Sequence, residues 1–127
     1  MGEQSNMNKP LLALLALPLL ALGGCHSSFA ADVRNRSSQP VSVELVSPGP
    51  NGTVALLAPS LRLGPGDRGG VGPVRVEQHR SVVLRVDSLG NPGRPAVIDL
   101  MPGTTIAEAT QDGTNANAPL LLRPVQH

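Results

Sequence analysis

Apolar and polar side chains alternate with period two through most of the chain beyond Asp32. Val41, Val43 and Leu45 alternate with Ser42 and Glu44, Val82, Leu84 and Val86 flank Val83 and Arg85, and Val74 and Val76 flank Arg75. A β-strand turns successive side chains to opposite faces, so this is the pattern of strands with one face buried. Shorter or less regular candidates lie at 32–36, 53–58, 61–63, 96–101, 104–110 and 120–123. No segment sustains a helical period with caps, and the spacing predicts an all-β sandwich or barrel.

Turn residues punctuate the same pattern. Pro48-Gly49-Pro50-Asn51-Gly52, Asn91-Pro92-Gly93 and Gln111-Asp112-Gly113 read as loops, because Gly, Asn and Asp tolerate backbone angles that strands exclude. Gly64-Pro65-Gly66-Asp67 and Met101-Pro102-Gly103-Thr104 place Pro then Gly centrally, the signature of a type II turn. Such turns twist the wrong way for a tight hairpin, so both are expected as corners where the chain passes between sheets. The polar stretch from Thr110 to Pro119 is expected to be a long mobile loop.

The amino-terminal part breaks the pattern. Leu11 to Leu22 is a run of 12 apolar residues, preceded by Lys9 and followed by Gly23 and Gly24. As a helix it spans roughly 18 Å, short of the roughly 30 Å of a bilayer core. A positive start, a short apolar stretch and a small-residue exit describe a secretory signal peptide over residues 1–24. Glu3 is out of place in such a segment, whereas Met7-Asn8-Lys9-Pro10 suits it, so Met7 is the expected initiator.

Leu22-Gly23-Gly24-Cys25 resembles the lipobox of bacterial lipoprotein precursors. That resemblance implies a diacylglyceryl group on Cys25, cleavage between Gly24 and Cys25, and acylation of the new amino terminus, with palmitate as a typical chain. Residues 25–31 then form a lipidated tether and residues 32–127 the folded domain. In the sorting rule of such lipoproteins, Asp after the modified cysteine retains the protein in the inner membrane. Here that position is His26, which favours an outer membrane where there is one.

Composition narrows the rest. The chain has no Trp, no Tyr and one Phe, with 14 Gly, 13 Pro and a single Cys. From Cys25 onward 13 Val, 11 Leu and 2 Ile must supply the core, with Phe29 and Met101. An aliphatic core this small leaves little for a roomy apolar pocket, since each buried side chain contributes only about 1.5–3 kcal/mol. Phe29 is expected either to dip into the membrane interface or to cap the core. The net charge of +1 is spread singly along the chain, and neither a basic face nor stacking aromatics suggest a nucleic-acid partner.

Candidate chemistry is sparse. His79 is the single histidine inside the folded part, in the polar stretch Glu77-Gln78-His79-Arg80. It reads as an exposed turn residue, because a general base needs a nucleophile and an orienting carboxylate that the pattern does not supply. A cupredoxin-like copper site fails for want of a second histidine and a cysteine not committed to lipid. Asp87-Ser88 and Asp112-Gly113-Thr114-Asn115 offer oxygen ligands without the spacing of a dedicated calcium loop. Asn35-Arg36-Ser37 and Asn51-Gly52-Thr53 match the glycosylation acceptor pattern, with no reason in a bacterial lipoprotein to expect its use. No metal, cofactor or catalytic residue is therefore expected.

Two features suggest contacts with partners. Arg34 and Arg36 project from one strand face, where they can meet anionic headgroups; segment 32–36 is read as a sheet edge guarded by its charges. Leu120-Leu121-Leu122 is read as a core strand or as a less guarded edge able to pair with another chain. The segment from Val33 to Leu45 looks like the opening hairpin of exported immunoglobulin-like or transthyretin-like domains. The resulting expectation is a small sandwich of that kind with about 7–9 short strands, a non-enzymatic envelope lipoprotein with a structural or protein-binding role. The alternative is an exported module binding a small ligand or a metal; an enzyme comes third.

Overall fold

The computed structural model describes residues 25–111 and 118–125. The expected signal peptide, Gly24, Met7, the 112–115 oxygen cluster and most of the 110–119 loop lie outside the described residues. Among the described residues nine strands form two sheets: β1 (His26–Asn35), β2 (Val41–Pro48), β3 (Val54–Leu56), β4 (Leu61–Leu63), β5 (Arg68–Glu77), β6 (Val83–Ser88), β7 (Ala96–Asp99), β8 (Gly103–Gln111) and β9 (Leu120–Pro124). One sheet has the order β5-β1-β8-β9; the other has β3-β2-β6-β7, with β4 also paired to β2. The protein is the small β-sandwich its alternation predicts.

Each sheet turns its apolar positions inward. Val33, Val41, Val43, Leu45, Leu84 and Val86 are completely buried, with Phe29, Ala31, Leu63, Val71 and Ala107 around them. Both Pro-Gly corners cross between sheets: 64–67 joins β4 to β5, and 101–104 joins β7 to β8. At the first, Gly66 has φ 82° and the Asp67 N–H donates to the Gly64 carbonyl at 3.1 Å, the geometry of a type II turn.

The principal departures concern β1. Residues 26–31, expected as a tether, are the first part of this strand. Ser27, Ser28, Ala30 and Ala31 are too small and mild to print an alternation, yet Phe29 is 4% and Ala31 2% exposed. Phe29 thus belongs to the core, not to the interface. Segment 32–36 is no edge either, because β1 lies between β5, antiparallel, and β8, parallel. Nor do residues 33–45 form a hairpin: β1 and β2 stand in opposite sheets, and the 36–40 segment arches from one to the other. Strand β5 is longer than the Val74–Val76 alternation, which Gly69, Gly70, Gly72 and Pro73 obscure. A register shift between Phe29 and Ala31 marks a bulge there. Gly72 faces it at φ 88°, and a Cβ at this position would stand 2.8 Å from the Phe29 carbonyl oxygen.

Candidate functional site

Strand β1 joins two places of interest. At its start Cys25 is exposed, immediately before the first hydrogen-bonded residue. His26 is the cross-strand partner of Glu77, and together with Gln78 and His79 these residues surround Cys25 in a shallow hollow. His79 Nε2 lies 3.2 Å from Glu77 Oε2, and its side chain is 81% exposed. It is the exposed turn histidine its surroundings predict. Met101, 76% exposed, sits two residues before Gly103, which pairs with Phe29, so it stands at the same end of the sandwich as Cys25.

The other end of β1 is built around Asn35, which is 1% exposed. Its Nδ2 donates to the carbonyls of Gln39 (2.7 Å), Leu63 (3.2 Å) and Gly64 (3.0 Å). Its Oδ1 accepts from the Ser37 N–H at 3.0 Å and from Ser37 Oγ at 2.6 Å. The backbone joins in: Asn35 N–H donates to Asp67 and Gly66 N–H donates to Asn35, both at 2.8 Å. One side chain thus ties the β1–β2 arch to the β4–β5 corner. Buried amides are retained when every group is satisfied in this way. In the sequence, Asn35 belongs to the 32–36 strand candidate and to an acceptor tripeptide, neither of which marks it as a buried tie.

This frame carries arginines on its outer side. In register, Arg34 of β1 lies opposite Arg68 of β5 and Glu108 of β8, and Glu108 lies opposite Arg123 of β9. Residues opposite one another share a sheet face, so three guanidinium groups and one carboxylate form a row across the sheet. Arg36 adds a fourth, its Nε 3.5 Å from Glu108 Oε1. Among the described residues, the buried Nε of Arg34 has no hydrogen-bond partner. Arg34, Asn35, Arg36, Ser37, Gly66 and Arg68 line an open groove of about 510 Å³. The expected pair of arginines is therefore extended by Arg68 and Arg123, which only strand pairing reveals.

The remaining candidates are placed as follows. Asp87 Oδ2 accepts from the Gly93 N–H at 3.3 Å and so holds the 89–95 loop, and Ser88 Oγ donates to Gln39 Oε1 at 2.6 Å and so holds the arch. Among the described residues no group of three His, Cys, Asp or Glu side chains is arranged to hold a metal, and no helix is long and apolar enough to cross a membrane. Leu120 is 7% and Leu121 56% exposed. Strand β9 is an edge by pairing, but β7 of the other sheet runs close beside it. No family model, curated protein or solved structure matches the chain.

Proposed function

We propose that this chain is the precursor of a bacterial lipoprotein, anchored through acylated Cys25, whose β-sandwich serves as a non-catalytic binding module of the cell envelope. The observation that carries the reading is the position of Cys25. The residue that ends the lipobox-like Leu22-Gly23-Gly24-Cys25 is exposed and adjoins the first strand directly. An acyl anchor at that place leaves every strand intact and holds the sandwich against the bilayer without a spacer. A single acyl chain anchors only marginally and two or more anchor stably, which suits the modification that the lipobox resemblance implies.

Metabolic labelling with palmitate, combined with mass measurement of the mature amino terminus, tests this. The wild-type chain is expected to take up label, begin at Cys25 and fractionate with membranes. Cys25→Ala is expected to lose label and processing together. Label that survives Cys25→Ala, or a mature chain beginning elsewhere, overturns the reading. In a host with two membranes, His26→Asp moves the labelled protein from the outer to the inner membrane fraction.

A further inference from the structure

The arginine face presents an electrostatic problem. Like charges directly opposite one another in a sheet are destabilising, and Arg34 and Arg68 are such a pair. Among the described residues neither has an acidic partner within ion-pair distance; Glu108 engages Arg36 instead. Asp32, two residues before Arg34 on the same face, and Asp67, whose Oδ2 accepts from the Gly64 N–H, are the other acids nearby. The row thus holds four guanidinium groups to one buried carboxylate, with Arg68 on the far side of Arg34 from Glu108, and among the described residues the buried Nε of Arg34 has no acceptor.

We propose that this groove is a binding site for a phosphate-class oxyanion, held between the guanidinium groups of Arg34 and Arg68 with Arg36 at its rim. The backbone N–H groups of Asn35, Arg36, Ser37 and Gly66 are already bonded within the protein, so recognition falls to the side chains. A planar guanidinium fork matches two oxygens of one anion. A carboxylate carries a single charge and leaves one guanidinium uncompensated, whereas a tetrahedral dianion presents oxygens to two forks and neutralises both charges. The Asn35 hydrogen bonds fix the strand end and corner that carry these arginines, so the site is organised before the ligand arrives. Arg34 lies nine residues along the strand from Cys25, roughly 30 Å at about 3.3 Å per residue. The anion can therefore belong to a soluble or polymeric phosphate far from the anchor, or to lipid headgroups if this sheet lies flat on the bilayer. The site does not depend on lipidation.

The full chain, purified in a non-ionic detergent, is titrated calorimetrically with inorganic pyrophosphate, and its melting is followed by circular dichroism in pyrophosphate and in chloride of matched ionic strength. Pyrophosphate is expected to raise the midpoint, and Arg34→Gln and Arg68→Gln each to weaken binding at least tenfold. Arg62→Gln, on the opposite sheet, should bind as the wild type does. Arg68→Gln, at an exposed position, should melt no lower than wild type in chloride, because it removes a like-charge neighbour; it carries the test alone if Arg34→Gln fails to fold. A second arm compares the chain reconstituted into phosphatidylcholine vesicles with and without phosphatidic acid, whose phosphomonoester can carry two charges. A response to pyrophosphate assigns the site to a non-lipid phosphate, and a response to phosphatidic acid alone assigns it to headgroups. No response in either arm, or unchanged binding by Arg68→Gln, overturns the proposal. The pyrophosphate arm needs no anchor, so its failure is distinct from failure of palmitate labelling.

Discussion

Replacing Asn35 with alanine removes five side-chain hydrogen bonds in one step. The amide has two protons to share among three carbonyls, so the interaction is worth fewer than five full bonds. At a net value of about 1 kcal/mol for each of four bonds, the loss is about 4 kcal/mol. Removing the amide leaves the Ser37 N–H without its acceptor, while the Gly64 and Gln39 carbonyls each keep one donor, the Asp67 N–H and Ser37 Oγ. For a domain near 100 residues each kcal/mol lowers the melting midpoint by roughly 4–8 °C, so a fall of roughly 16–32 °C is expected. Since small domains hold only about 5–15 kcal/mol in total, the variant is left marginal. Urea unfolding followed by circular dichroism measures the loss directly, which suits a chain with no Trp or Tyr. Asn35→Asp isolates the donors: it keeps the shape and Oδ1 but turns an oxygen toward three carbonyls, and should cost at least as much as alanine. A loss below about 1.5 kcal/mol for alanine, or wild-type stability for aspartate, refutes the assignment of Asn35 as the tie between arch and corner.

Two further predictions test where β1 and β9 put their side chains. Phe29→Ala should cost about 3–5 kcal/mol, read as a lowered urea midpoint; a change under 1 kcal/mol would return Phe29 to the membrane interface. Leu121→Lys, at an exposed outward position, should shift stability by no more than about 0.5 kcal/mol, while Leu120→Lys should prevent folding. Equal effects of the two, measured by thermal melting, would show that the β9 register is wrong.

The strands were legible wherever a large aliphatic residue stood at every second position, as in β2 and β6. The two Pro-Gly corners were legible because their backbone angles are specific to those residues. The start of β1 was hidden by its small side chains: Ser28 and Ala30 face outward and Ala31 inward, with too little contrast to set a period. Partnership was hidden more completely. A parallel pairing between the first strand and β8 leaves no local mark, so a stretch bearing Arg34 and Arg36 resembled a guarded edge although it is central. For the same reason Arg68 and Arg123 could not be joined to Arg34 and Arg36 in advance. Asn35 reads as a residue of the 32–36 strand and of an acceptor tripeptide, because composition does not distinguish an amide in water from one satisfied by four different residues. The exposed character of His79 was recoverable, since the whole stretch around it is polar.

The central place of β1 also decides how the molecule bears tension. A pull delivered through Cys25 runs along the strand axis, and β1 is bonded on one flank to β5 and on the other to β8. The load is shared in shear across both ladders at once, where many hydrogen bonds must fail together. A strand at a sheet margin, peeled from its end, would give way one bond at a time. Forced unfolding is governed by the unfolding rate rather than by equilibrium stability. In the acylated form proposed above, drag would thus load this doubly bonded strand first, and extraction of the anchor from the bilayer would compete with rupture of the domain.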